Sequence, residues 1–86
     1  MKHHCVIILF SIHFVLKAEK ILQAARVDFD VIPVPRTISS DCGMAIAFSC
    51  RDLNLVSDLL RREEISIARI YQRDETGTYR EYGADD

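Results

Sequence analysis

Three side chains capable of nucleophilic sulfur chemistry stand at positions 5, 42 and 50. Each occupies a different setting. Cys42 falls near the end of residues 35–43 (PRTISSDCG), a stretch that is loop by composition, and Gly43 comes directly after it. Only the thiolate attacks, so a reactive cysteine needs access and neighbours that favour its anion. Cys5 instead opens an apolar run and reads as a small hydrophobe. Cys50 lies beside a predicted helix start, about eight strand residues from Cys42, roughly 26 Å at the usual rise and far beyond disulfide reach. The spacings contain no CxxC, and three cysteines cannot all pair with one another. That pattern argues against a disulfide framework and a structural zinc site, and free thiols suit a reducing cytosol. Cys42 is therefore the candidate for chemistry, with no metal and no cofactor expected.

The elements that must position this thiol can be read from periodicity. Residues 5–10 (CVIILF) form a continuous apolar run of strand length. Ser11 can cap the next element through its hydroxyl, and residues 12–26 place Phe14, Val15, Ala18, Ile21, Leu22 and Ala25 at helical spacing. Residues 28–34 (DFDVIPV) alternate as a second strand, with Pro33 favouring a sheet edge or strand end. Residues 44–48 form a third strand with Met44, Ile46 and Phe48 on one face and Ala45 and Ala47 on the other. Ser49 with Asp52 matches a capping box. The helix after it runs to about Glu63 with Leu53, Val56, Leu59 and Leu60 on its buried stripe. Residues 65–71 give a fourth strand. The DETG at 74–77 is a turn, after which 78–82 reads equally as a short returning strand or as part of a polar tail.

The order β-α-β-β-α-β predicts an α+β fold. It is a ferredoxin-like split β-α-β sandwich, an antiparallel sheet with two helices on one face. Residues 1–73 make the single domain, and 74–86 add a turn with an acidic tail or an extra strand. This topology brings the tip between the second and third strands to the end of the sheet where the first helix begins. Unpaired N–H groups at that helix start favour a thiolate. His13 in the first turn and Arg36 on the loop supply further cations or proton acceptors, and Gly43 permits a backbone in which the thiol stands clear. Asp41 works the other way, raising the thiol pKa if its carboxylate comes near. His3 and His4 read as frayed-end residues.

Composition narrows the partners. A net charge of −2 and a pI near 5.9 lack the basic surplus that phosphate binding requires, so nucleic acid is excluded as an expected partner. The opening MKHH with an apolar stretch after it mimics a secretory signal. However, His13 and Lys17 interrupt that stretch, it leads to no small-x-small cleavage site, and it is too short to span a bilayer. The expectation is a cytoplasmic protein without a membrane segment. The first strand is apolar on both sides while both helices cover one face, so the opposite face is expected to stay open. An open apolar face suits a homo-oligomer or a ligand-binding module. That is the alternative to thiol chemistry.

Taken together, several segments resemble a small bacterial family of selenium/sulfur carrier-like proteins. They are the opening strand, Ser11-x-His13 with Lys17-Ala18-Glu19, the IPVPR of residues 32–36, the SSDCG of residues 39–43, and the closing strand through Ile70 and Tyr71. The likeness covers about residues 5–72, and its most specific part is P-x-P-R with Cys-Gly six residues later. The resemblance implies a carrier whose Cys42 holds sulfur or selenium as a persulfide or selenosulfide, tuned by Arg36 and His13. Its implied partners are a donor such as a cysteine desulfurase and an acceptor carrier protein. Such a chain is a relay partner more than a turnover enzyme. The added turn and acidic tail after Asp74, and Cys50 at the second helix cap, depart from the family pattern.

Overall fold

The computed structural model describes residues 3–38 and 43–82. Its elements are β1 (Cys5–Leu9), α1 (Ile12–Ala24), β2 (Phe29–Pro33), β3 (Met44–Phe48), α2 (Leu53–Arg62), β4 (Ile67–Arg73) and β5 (Tyr79–Glu81), with a 3₁₀ turn over Cys50–Asp52 leading into α2. The sheet order is β2-β3-β1-β4-β5, and every neighbouring pair is antiparallel. This is the ferredoxin-like arrangement expected, and β5 resolves the reading of residues 78–82 in favour of an extra strand. Pro33, which cannot donate to a ladder, sits in the edge strand β2.

Alternation divides β1 between two apolar layers. Cys5, Ile7 and Leu9 face the helices, where they join Ile46 and Phe48 of β3, Val15, Ala18 and Leu22 of α1, and Leu53, Val56 and Leu60 of α2. These helix residues recur every three or four positions, which is why one side of each helix is buried. Val6 and Ile8 point to the opposite face, together with Ala45 and Ala47.

Contrary to the sequence expectation, the first strand's side chains on that second face are not exposed. Val6 is 1% and Ile8 2% exposed, and Ile38 from the β2–β3 connection packs in the same cluster at 5%. The two alanines explain how: their small side chains leave a shallow trough on β3 into which a connecting segment can settle. The basis for a docking module acting through this face is thereby removed.

Both helices end one or two residues earlier than periodicity suggests, for one shared reason. After α1, Arg26 adopts φ 60°. Its N–H donates to the Gln23 carbonyl, and the Val27 N–H donates to Leu22. After α2, Glu64 adopts φ 61°, with Glu64 N–H bonded to Arg61 and Ile65 N–H to Leu60. These are Schellman closures with non-glycine residues in the left-handed region, each costing about 1 kcal/mol. The second closure consumes Ile65, 2% exposed, as its hydrophobic seal, so β4 starts at Ile67 instead of Ile65. Lys17 of α1 donates from Nζ to the Glu63 carbonyl, a cation at a helix C-terminus. The capping box at Ser49 does not form. Its side chain makes no cap bond, and its carbonyl instead accepts from the Asp52 N–H within the 3₁₀ turn.

Candidate functional site

One end of the sheet gathers the end of β1, the start of α1, the end of β2 and the start of β3. Ser11 caps α1 as expected: its backbone is extended and its Oγ accepts from the Phe14 N–H at 3.3 Å. The other first-turn N–H groups of α1 open at this end. His13 is exposed on that turn, with its ring edge-on to Phe14 at a centroid distance of 6.0 Å. Phe10, Ile12 and Leu16 are exposed around the same helix start, at 63%, 47% and 54%.

The β2–β3 connection is anchored at both of its described ends. The Val34 N–H donates to the Gly43 carbonyl at 3.1 Å, continuing the ladder that pairs Pro33 with Met44. The Ile38 N–H donates to the Pro35 carbonyl at 2.9 Å, closing a turn with Arg36 and Thr37 at its centre. Arg36 is exposed there, while Ile38 is buried against the sheet. Gly43 has φ 79°. A Cβ at this position would meet nothing within 4 Å, so the glycine serves the backbone conformation and not a tight contact. Arg36, Gly43 and His13 thus share one end of the sheet. Cys42 and Asp41 lie outside the described residues.

The other two cysteines overturn the expectation of free thiols. Cys5 and Cys50 are joined as a disulfide with Cα atoms 5.1 Å apart. Cys5 pairs in register with Phe48, and Cys50 comes two residues later as the chain turns beneath the start of β1. The pair therefore lies at the end of the sheet opposite Gly43. It encloses α1, β2, β3 and the loop between the last two in one covalent ring. Reasoning about the distance from Cys42 to Cys50 missed it because Cys5, which starts at the same end as β3 finishes, was assigned only a packing role.

His3 is also better ordered than a frayed end. Its side chain is 11% exposed, its Nδ1 donates to the Asp30 carboxylate at 2.9 Å, and its Nε2 lies 3.4 Å from Asp28. This clip ties the chain ahead of β1 to the edge strand. Among the described residues no group of three or more His, Cys, Asp or Glu side chains could hold a metal ion. Nor is any described helix long and apolar enough to cross a membrane.

No curated protein and no solved structure matches the chain. A family model does, over residues 4–72, from the residue before β1 to near the end of β4, and its description is "Putative Se/S carrier protein-like". This covers the connection, both helices and the four strands of the core, and on that match the chain belongs to the Se/S carrier protein-like family.

Proposed function

We propose that the protein relays sulfur or selenium on the Cys42 thiol, as a persulfide or selenosulfide. The observation that carries this reading is the Cys5–Cys50 bond. With three cysteines in the chain, it leaves Cys42 as the one outside that pair, within a family described by Se/S carriage. In the forward step the Cys42 thiolate attacks the terminal sulfur of a donor persulfide, such as that of a cysteine desulfurase. The donor S–S bond breaks, the donor thiolate leaves, and Cys42 holds the sulfur. An acceptor thiolate on a partner carrier protein then attacks that terminal sulfur and releases the Cys42 thiolate, with no net redox change.

Such exchange requires thiolate character and access. In this reading the α1 start, His13 and Arg36 favour the anion, and Gly43 gives the loop its reversal. A persulfide is discharged when a neighbouring thiol attacks it, and sulfurs already bonded to each other at the far end of the sheet pose no such threat. The reading makes the protein a carrier more than a turnover enzyme.

The test is persulfide loading from a desulfurase with free cysteine, read as a mass shift on mapped peptides. Cys42→Ser should reduce loading to background while circular dichroism stays unchanged. Loading that survives Cys42→Ser and disappears on replacing Cys5 or Cys50 would overturn the assignment.

A further inference from the structure

The two sulfurs of the disulfide are not equivalent. Cys5 is 0% exposed, enclosed between β3 and β4 in the middle of the sheet. Cys50 is half-buried, the first residue of the 3₁₀ turn that leads from β3 to α2. Thiol–disulfide exchange requires the attacking thiolate to approach along the S–S axis, from the side opposite the leaving sulfur. Attack on Cys5 would need a path through the core. Attack on Cys50 meets a residue that is half-buried and lies in a short turn, not one sealed between strands.

We propose that Cys5–Cys50 is a second, independent thiol-exchange site, entered at Cys50 by a low-molecular-weight thiol of the glutathione class, with Cys5 as the buried resolving sulfur. An incoming thiolate forms a bond to Cys50 Sγ, the Cys5–Cys50 bond breaks, and the electron pair leaves on Cys5, which takes a proton from water. Two outcomes are open to this mixed disulfide. Cys5 can attack Cys50 Sγ, restoring the original bond and expelling the small thiol with no net change. Alternatively a second small thiolate attacks the sulfur of the first, leaving Cys50 as a thiolate and producing the small-molecule disulfide. In that case two thiols are oxidised and the protein disulfide is reduced. This chemistry involves neither Cys42 nor persulfide, so failure of exchange at Cys50 leaves the loading test on Cys42 untouched, although both readings start from the Cys5–Cys50 bond.

The site also differs from a purely structural cross-link. A structural disulfide with both sulfurs sealed is reduced only when the whole domain unfolds. This one opens from the native state, because Cys50 is only half-buried, packed at the margin of the core, and local movement of the turn at residues 49–52 is enough to bring its sulfur to solvent.

The experiment uses the full chain carrying Cys42→Ser, so that only the pair reports. The protein is purified without reductant, exposed to graded reduced glutathione, quenched in acid, alkylated and mapped by mass spectrometry. The expected result is glutathione on Cys50 with alkylated Cys5, in about tenfold excess over the reverse arrangement, at concentrations where near-ultraviolet circular dichroism is still native. Cys5→Ser in the same background, given oxidised glutathione instead, should accumulate the Cys50 adduct as one glutathione thiolate leaves, since nothing resolves it, and Cys50→Ser under the same oxidised glutathione should leave Cys5 slow to react. The unsubstituted pair keeps the test decisive if either variant fails to fold. Three results would overturn the proposal: adduct on Cys5 or equally on both, reduction only in step with loss of the native signal, or free thiols at both positions in the protein as purified.

Discussion

The two faces of this sheet both bury the side chains of β1, but by different means. On the helix side, large side chains from β1 and β3 meet two amphipathic helices, and Phe48, Ile7, Ile46, Leu22 and Leu60 are fully buried. On the other side, Ala45 and Ala47 offer little bulk, and Ile38 of the β2–β3 connection joins Val6 and Ile8 in one buried cluster, with Val34, Tyr71 and Tyr79 packed against it. Further along, that face turns polar, and Arg69 donates to the Tyr71 hydroxyl at 3.0 Å with its guanidinium 5.6 Å from the ring centroid. The first face is a core built from secondary structure, whereas the second is a smaller cluster of strand side chains to which the β2–β3 connection adds Val34 and Ile38. Among the described residues the connection is tied to the fold both by this packing and by the Val34–Gly43 hydrogen bond at its neck.

The contrast between the faces makes unequal costs measurable. Phe48→Ala removes the largest fully buried side chain and should cost about 3–5 kcal/mol in denaturant unfolding, a large share of the stability of a domain this size. Ile38→Ala should cost about 2 kcal/mol, the low end for a buried Ile→Ala change, because one side of the site can collapse onto the alanines. It should also speed amide exchange at Val34, whose hydrogen bond to Gly43 closes the neck of the loop, while leaving Leu22 and Leu60 protected. Equal losses from the two substitutions would mean that the second face is as much a core as the first, and the comparison would fail.

Most of the scaffold was legible in the sequence because its signals are local. The period-two run of β3, the helical stripes, the Ser11 cap and the turn at 74–77 each declare themselves within a few residues. The features that stayed hidden depend on meetings between distant segments. Ile38 is one apolar residue in a polar loop, and nothing near it says that it covers Val6, thirty-two positions earlier. The alanines at 45 and 47 were the available signal, since small residues on one side of a central strand imply something packed close over them. The disulfide, with a separation of 45 residues, was within reach of the same topology that placed the loop, because β1 begins where β3 ends. The capping box at Ser49 failed for the opposite reason: the motif is local, but the chain enters α2 through a 3₁₀ turn tied to Cys50. Of the candidate residues, His13, Arg36 and Gly43 lie at one end of the sheet, as the topology read from the sequence requires, while Cys42 falls outside the described residues.

The gentlest way to sharpen the contrast is through Asp74, which acts on the second face alone. Its Oδ1 accepts from the Thr76 hydroxyl at 2.6 Å, the Thr76 N–H at 2.9 Å and the Thr78 N–H at 3.0 Å, and its Oδ2 lies 3.5 Å from Arg80. These bonds, the Thr76 hydroxyl first and the Thr78 amide next, hold the carboxyl pKa below its ordinary value. A depressed carboxylate contributes stability that is present above its unfolded pKa and fades as pH falls through the folded one. Acid should therefore loosen the β4–β5 turn, and with it Tyr79, which packs against the second cluster. The readout is the protection factor of the Thr78 and Tyr82 amides, the latter bonded to the Ile70 carbonyl at 2.7 Å. Both should fall between about pH 5 and pH 2, while Ile7, under the helices, keeps its protection until global unfolding. Asp74→Asn should bring part of that loosening to neutral pH, since a neutral amide accepts these bonds more weakly than a carboxylate. Constant protection at Thr78 across the range would show that the turn holds without the charge, and that β5 is as firmly tied to the sheet as the central strands.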